Sequence, residues 1–241
     1  MKIIDRETGK RLDKDLKQND PLIRNVEKEV TPDEENSPMD PPGAYEGTPV
    51  LDVDASKMHS LLQRFVNEHI VASEKIKMFE NALVELKNNG YHFTDDINST
   101  FTAFFKFFDT NILEHNRNEE KALFPLLHQK LIESGEHGKG DAPQTAVDIM
   151  EDDHVKFIQL GALTFNFFGL AARLTDERSK FFVFDVAYQN ARELTEMLRL
   201  HIYREDNTLF PLAQKLISSN EMNALEKTIE KKAVSGQHHA H

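Results

Sequence analysis

Two stretches of the chain place a glutamate four residues after a histidine: His115 with Glu119, and His201 with Glu205. On a helix, positions i and i+4 project from one face, one turn apart. Each pair can therefore reach one metal ion or bridge two neighbouring ones. The two stretches are copies: HNRNEEKALFPL (115–126) matches HIYREDNTLFPL (201–212) at six of twelve positions, offset by 86 residues. Upstream, Glu68-His69 pairs with Asp153-His154 at an offset of 85. The candidate metal ligands are thus His69, His115, Glu119, His154, His201 and Glu205.

Four imidazoles and two carboxylates suit iron, manganese or zinc. The chain has no cysteine, which removes thiolate metal sites, iron–sulfur clusters, disulfides and Cys nucleophiles together. Burying two carboxylates in an apolar core costs several kcal/mol each unless cations compensate them. Two carboxylates able to bridge favour a pair of metals over one.

The elements that must position these residues follow from periodicity. From about Ala55 to Asn88, Leu62, Phe65, Val66, His69, Ala72, Ile76, Phe79 and Leu83 recur at three- and four-residue spacing. This predicts a long amphipathic helix, ended by Asn88-Asn89-Gly90. A second helix is expected from Asp95 or Asp96 past His115, with Pro125 bending it or marking its last turns. A third is expected from about Pro143 to Leu174, and a fourth from near Asp176 to about Ile217, with SGEHGKGDAP (134–143) as a loop. The reading is all-α: an up-down-up-down four-helix bundle built from two repeated helical hairpins over residues 53–218. Residues 1–52, rich in Asp, Glu, Lys and Pro, read as an extended or disordered arm, and 219–241 as a C-terminal tail. The Phe-rich stripes (Phe104, Phe105, Phe107, Phe108; Phe165, Phe167, Phe168; Phe181, Phe182, Phe184) read as core. His59, ten residues before His69, lies about 80° round the helix from it and reads as structural.

The chain has 241 residues and a formal net charge of −12. That charge speaks against nucleic acid and against an anionic membrane surface as partners. No apolar run is long enough to span a membrane and MKIIDRETGKRLDKD lacks a signal-like apolar stretch, so a cytoplasmic location is the expectation.

Glu68-His69, the run His115 to Pro125, Asp153-His154 and the run His201 to Pro211 together resemble the hemerythrin-like cation-binding family over about residues 55–217. The resemblance implies an oxo- or hydroxo-bridged pair of iron ions that binds dioxygen, nitric oxide or peroxide, or that handles iron. The oxygen-carrying members offer a second histidine one turn after the first in the third helix, where this chain has Ile158, with Ser73 at the matching place in the first helix. The chain is thus closer to the four-histidine, two-carboxylate members, which resemble iron-dependent sensors and stress-repair proteins. His92 is a further candidate imidazole that reads as an exposed loop residue. Oxygen carriers use a carboxylate five residues after the histidine of the fourth helix, which would be Asp206; the repeat and a regular helix favour Glu205.

The expected function is binding or sensing of dioxygen, nitric oxide or a related oxidant at a di-iron site, with manganese or zinc as other metals. The alternatives are a peroxide- or nitric-oxide-consuming oxidoreductase and an iron-handling or repair protein. The arm is an expected place for a protein partner.

Overall fold

A computed structural model describes residues 22–23, 57–138 and 143–236, the last six as backbone only. Most of the proposed arm and the end of the tail lie outside the described residues. What is described is almost wholly helical. The exception is a two-residue antiparallel pair, β1 (Leu22–Ile23) against β2 (His137–Gly138), with Leu22 opposite Gly138. Among the described residues no helix is long and apolar enough to cross a membrane.

The chain divides into two compact units. One comprises Ser60–Lys121 and Met150–Ile202; the other, Met1–His59, Ala122–Ile149 and Tyr203–His241.

The first unit opens with α1 (Ser60–Asn88), whose buried face runs Leu62, Phe65, His69, Ala72, Ile76, Phe79, Leu83, Leu86. The three- and four-residue spacing puts His69 on the same stripe as the apolar residues, which is what carries an imidazole into the interior. Gly90, at φ 71°, lets the chain leave the helix, and the Tyr91 N–H then bonds the Leu86 carbonyl at 2.8 Å. Thr94, not an aspartate, caps α2 (Asp95–Phe107): its hydroxyl accepts from the Ile97 N–H. The helix then passes through a π-helical turn (Phe108–Ile112), a short α3 (Leu113–Asn118) and a second π turn (Glu119–Leu123). The two further long helices are α5 (Ala146–Ala171) and α6 (Glu177–Arg204), of which residues 150–171 and 177–202 belong to this unit.

These four helices share one core, including Phe79, Phe101, Phe104, Phe108, Phe157, Phe168, Phe184 and Leu198. The Phe79 and Phe104 rings stack with centroids 4.0 Å apart, and Phe101 meets Phe168 edge-on at 5.1 Å. Each fully buried Phe contributes about 2–3 kcal/mol. The core reading of the Phe stripes holds for only part of them. Phe105, Phe107 and Phe167 are partly buried against the core, whereas Phe165, Phe181 and Phe182 are exposed. A run of adjacent aromatics on a helix spreads over several faces, so it cannot all turn inward. Gly161 answers a close approach: a Cβ there would meet the Phe108 ring at 3.0 Å.

In the second unit, α4 (Phe124–Ser134) carries Pro125 in its first turn; of the two expectations for this proline, a bend or the last turns of the helix, the second is not met, since the helix runs on to Ser134. The last part of α6 leads into a third π turn (Glu205–Leu209) and α7 (Phe210–Leu216), with Pro211 in the place of Pro125. Part of the segment read as a tail is the helix α8 (Ser219–Gly236). Its start is a capping box: the Ser218 hydroxyl accepts from the Glu221 N–H and the Glu221 carboxylate accepts from the Ser218 N–H at 2.9 Å. Met222 and Ile229 are its buried anchors, and Lys130 of α4 pairs with Glu221 at 3.1 Å.

Candidate metal centre

In the first unit, four imidazoles meet in two pairs. Nε2 of His69 lies 3.0 Å from Nε2 of His115, and Nε2 of His154 lies 3.2 Å from Nε2 of His201. Glu119, fully buried, stands between the pairs: Oε1 is 3.3 Å from His115 Nε2 and Oε2 is 3.6 Å from His154 Nε2. One ligand atom each of His69, His115 and Glu119 lies within 4.8 Å of the others, and the same holds for Glu119, His154 and His201. Phe65 walls His115 and Phe157 walls His201, both edge-on, at 5.2 and 4.9 Å.

The spacing fits metal ions. Two donors on adjacent corners of an octahedron with bonds of about 2.1 Å lie about 3.0 Å apart, and about 3.4 Å apart on a tetrahedron. The Nε2 atoms meet that condition, and the donor set is of the nitrogen and oxygen kind that iron, manganese and zinc accept.

The Nδ1 side of the rings is held by carboxylates. His115 Nδ1 bonds Glu68 at 2.7 Å, His154 Nδ1 bonds Glu120 at 2.8 Å, and His201 Nδ1 faces Asp153 at 3.5 Å. A carboxylate on Nδ1 fixes the tautomer that leaves Nε2 free to ligate and makes the ring a stronger donor. The pattern crosses between helices. Glu68, beside His69 on α1, orients the ring of His115; Asp153, beside His154 on α5, orients that of His201. The sequence showed the acid-histidine dipeptide twice, but not that the acid serves a histidine of another helix.

The electrostatics bear the mark of buried charge. Burial lowers the His115 pKa, but the Glu119 charge and hydrogen bond, with the bond to Glu68, outweigh it and push the value up to about 9. Burial raises Glu68, but its bond to His115 and the neighbouring Arg64 outweigh this and hold it below the usual carboxylate range.

The match with known proteins follows the same residues. The family model of the hemerythrin HHE cation-binding domain matches residues 60–213. The chain belongs to that family. No curated protein and no solved structure matches it.

As in the sequence, so in the structure this hemerythrin-like chain has four histidines at the centre, His69, His115, His154 and His201. Ile158 and Ser73, at the places of further histidines, are exposed. His92 is exposed in the turn after α1 and is absent from the clusters that could hold a metal among the described residues. His59 belongs to the second unit, where its Nε2 lies 3.1 Å from Asn223 Oδ1 and its N–H donates to Gln214. Glu205 also lies in the second unit, fully buried, and opens the third π turn as Glu119 opens the second. Asp206 beside it is half-buried.

Proposed function

We propose that the protein binds a pair of iron ions and through them binds or senses dioxygen, nitric oxide or peroxide in a cytoplasmic setting. The observation that carries the reading is Glu119. A fully buried carboxylate with one oxygen toward each imidazole pair is the arrangement that two cations, one per pair, would require. His69 and His115 would hold one metal, His154 and His201 the other. Glu205, the repeat's counterpart of Glu119, would be the sixth ligand. The up-down-up-down bundle of two hairpins is the topology this reading uses, since it brings equivalent residues together about a pseudo-twofold axis.

A ferrous pair with fewer than six protein donors per ion supplies open positions and electrons for a diatomic ligand or peroxide. The chain's own residues set the conditions. Glu68, Glu120 and Asp153 hold the rings with Nε2 inward. Phe65 and Phe157 pack edge-on against the rings of His115 and His201. His115 retains a proton well above neutral pH until metal displaces it, so loading releases a proton at that ring.

The test is metal analysis of purified chain loaded with ferrous iron under argon. About two iron atoms per chain is the expected result; one or none overturns the pair. Glu205→Ala should lose metal and Asp206→Ala should keep it, and the reverse outcome would move the sixth ligand to Asp206. Turnover of peroxide or nitric oxide by the loaded chain would move the function from sensing to an oxidoreductase.

A further inference from the structure

Helix α5 is apolar on two sides. Phe157, Leu160, Phe168 and Ala171 face the core of the first unit. On its flank, Val155, Ile158, Ala162, Phe165, Gly169 and Ala172 are all exposed. The three large residues, Val155, Ile158 and Phe165, are 55, 53 and 61 % exposed. An apolar stripe on each side calls for cover on each side. The steps along the flank are 3, 4, 3, 4 and 3 residues, an unbroken heptad pattern. It runs about 27 Å at 1.5 Å per residue. Ala172 keeps the register just past the end of the helix, since its N–H still bonds the Phe168 carbonyl at 3.1 Å. A strict seven-residue repeat drifts about 20° per heptad round a straight helix, so this seam winds as the seam of a left-handed helix pair does.

The order of side chains along the seam points to what covers it. Laid antiparallel on a copy of itself, the seam sets a large residue against a small one in each layer. Val155 meets Ala172 of the second copy, Ile158 meets Gly169 and Phe165 meets Ala162. Gly169 has open space where a Cβ would stand, which is room for Ile158 of the second copy. The edge of the seam agrees in charge. Asp152 comes level with Arg173 of the second copy and Gln159 with Asn166, and all four are exposed. In the single chain Arg173 bonds the Gly169 carbonyl at 3.0 Å, which keeps its guanidinium beside the seam. A parallel pair would instead set Phe165 on Phe165, leave a gap at Gly169 and bring Asp152 level with Asp152. The Phe165 ring is already held, edge-on to Phe105 of α2 at 5.3 Å. Each large residue offers roughly 100 Å² and each small one about half that, so with the polar edge the pair buries about 1,000 Å², the lower end for a specific interface.

We propose that the chain forms an antiparallel twofold dimer through this seam of α5. The inference rests on the first unit alone and is independent of which metals the centre holds.

The test is sedimentation of the full chain from about 1 µM to about 1 mM, the range in which so small an interface associates. A reversible monomer–dimer transition is expected. Ala162→Glu buries two charges per dimer and should raise the midpoint at least about tenfold, with circular dichroism confirming the fold. Asp152→Arg and Arg173→Asp should each weaken association about two- to tenfold, and the double variant should recover it. The chain has no cysteine, so disulfides report the register directly. Ile158→Cys chains mixed with Gly169→Cys chains should link on oxidation. Neither should link to itself, because like positions lie about 16 Å apart along the pair. If Ala162→Glu loses the fold, the cysteine variants decide. A chain that stays monomeric throughout, a dimer indifferent to Ala162→Glu, a double variant that does not recover, or cysteine variants that link only to themselves overturns the proposal.

Discussion

Replacing Glu119 by Gln is the sharpest perturbation of the centre. The amide keeps the size of the side chain and removes a charge that faces both imidazole pairs, at 3.3 Å from His115 and 3.6 Å from His154. The metal-free chain gives the first readout. His115 is pushed up to about 9 from an ordinary value of 6.5, with burial opposing and Glu119 the largest favourable cause. A histidine whose pKa is raised by folding contributes stability that is full below the unfolded value and is lost as pH rises through the folded value. At about 1.4 kcal/mol per pH unit, the metal-free chain should therefore lose about 3 kcal/mol of stability between pH 6.5 and about 9. In Glu119→Gln burial opposes a weaker set of partners, chiefly Glu68, so that dependence should largely vanish. Denaturant unfolding across this pH window, with the His115 ring titrated by NMR, measures both. The second readout is metal. Iron must displace the His115 proton, so affinity of the wild type should climb about tenfold per pH unit up to about 9. The variant should bind both metals at least 10–100-fold more weakly, since even losses beyond the ligands themselves cost that much. A variant that keeps two irons at native affinity, or whose His115 still titrates near 9, refutes the placement of Glu119 between the pairs.

Glu68→Gln removes the charge on His115 Nδ1 and should weaken iron at the His69–His115 pair about 10–100-fold, while the His154–His201 pair keeps its metal; stepwise iron titration separates the two. His59→Ala should leave iron content intact and His69→Ala should lower it strongly, as measured by plasma mass spectrometry, because only His69 faces a partner imidazole. Gly161→Ala would put a Cβ 3.0 Å from the rigid Phe108 ring. Overpacking of about 1–3 kcal/mol should outweigh the helix-propensity gain of about 1 kcal/mol, and the thermal midpoint should drop.

The helical periodicity of Leu62 to Leu83 and the copy of HNRNEEKALFPL at an offset of 86 were enough to place the long helices and to single out His69, His115, Glu119, His154 and His201, which the structure brings together in one unit. They were enough because apolar spacing and ligand spacing are the same 3.6-residue repeat, so a histidine on the stripe goes where the stripe goes. Ser218 to Ile229 carried readable signals too, a capping box followed by apolar residues one and two turns apart, but a charged composition near the end of the chain masked them. The roles of Glu68, Asp153 and Glu120 were not legible. Which ring a carboxylate meets depends on helix pairing, and one sequence contains the residues of a pair without the pairing.

The π turns explain how adjacent residues can both serve the centre. On a regular helix Glu119 and Glu120 diverge by 100°, which would send one of them away from the histidines. Proline interrupts the regular ladder after the second and third π turns. Pro125 has no N–H to give the Lys121 carbonyl, and Pro211 has none for that of Asn207, so the i→i+4 ladder must fail just before each. The chain answers in both copies with i→i+5 bonding, over Glu119–Leu123 and Glu205–Leu209. More residues then share a turn, and neighbours are separated by a smaller angle. Glu119 can face the Nε2 atoms while Glu120, next along, reaches His154 Nδ1 at 2.8 Å. In the first copy the F-P dipeptide thus follows a widened turn from which two consecutive carboxylates, Glu119 and Glu120, both reach His154.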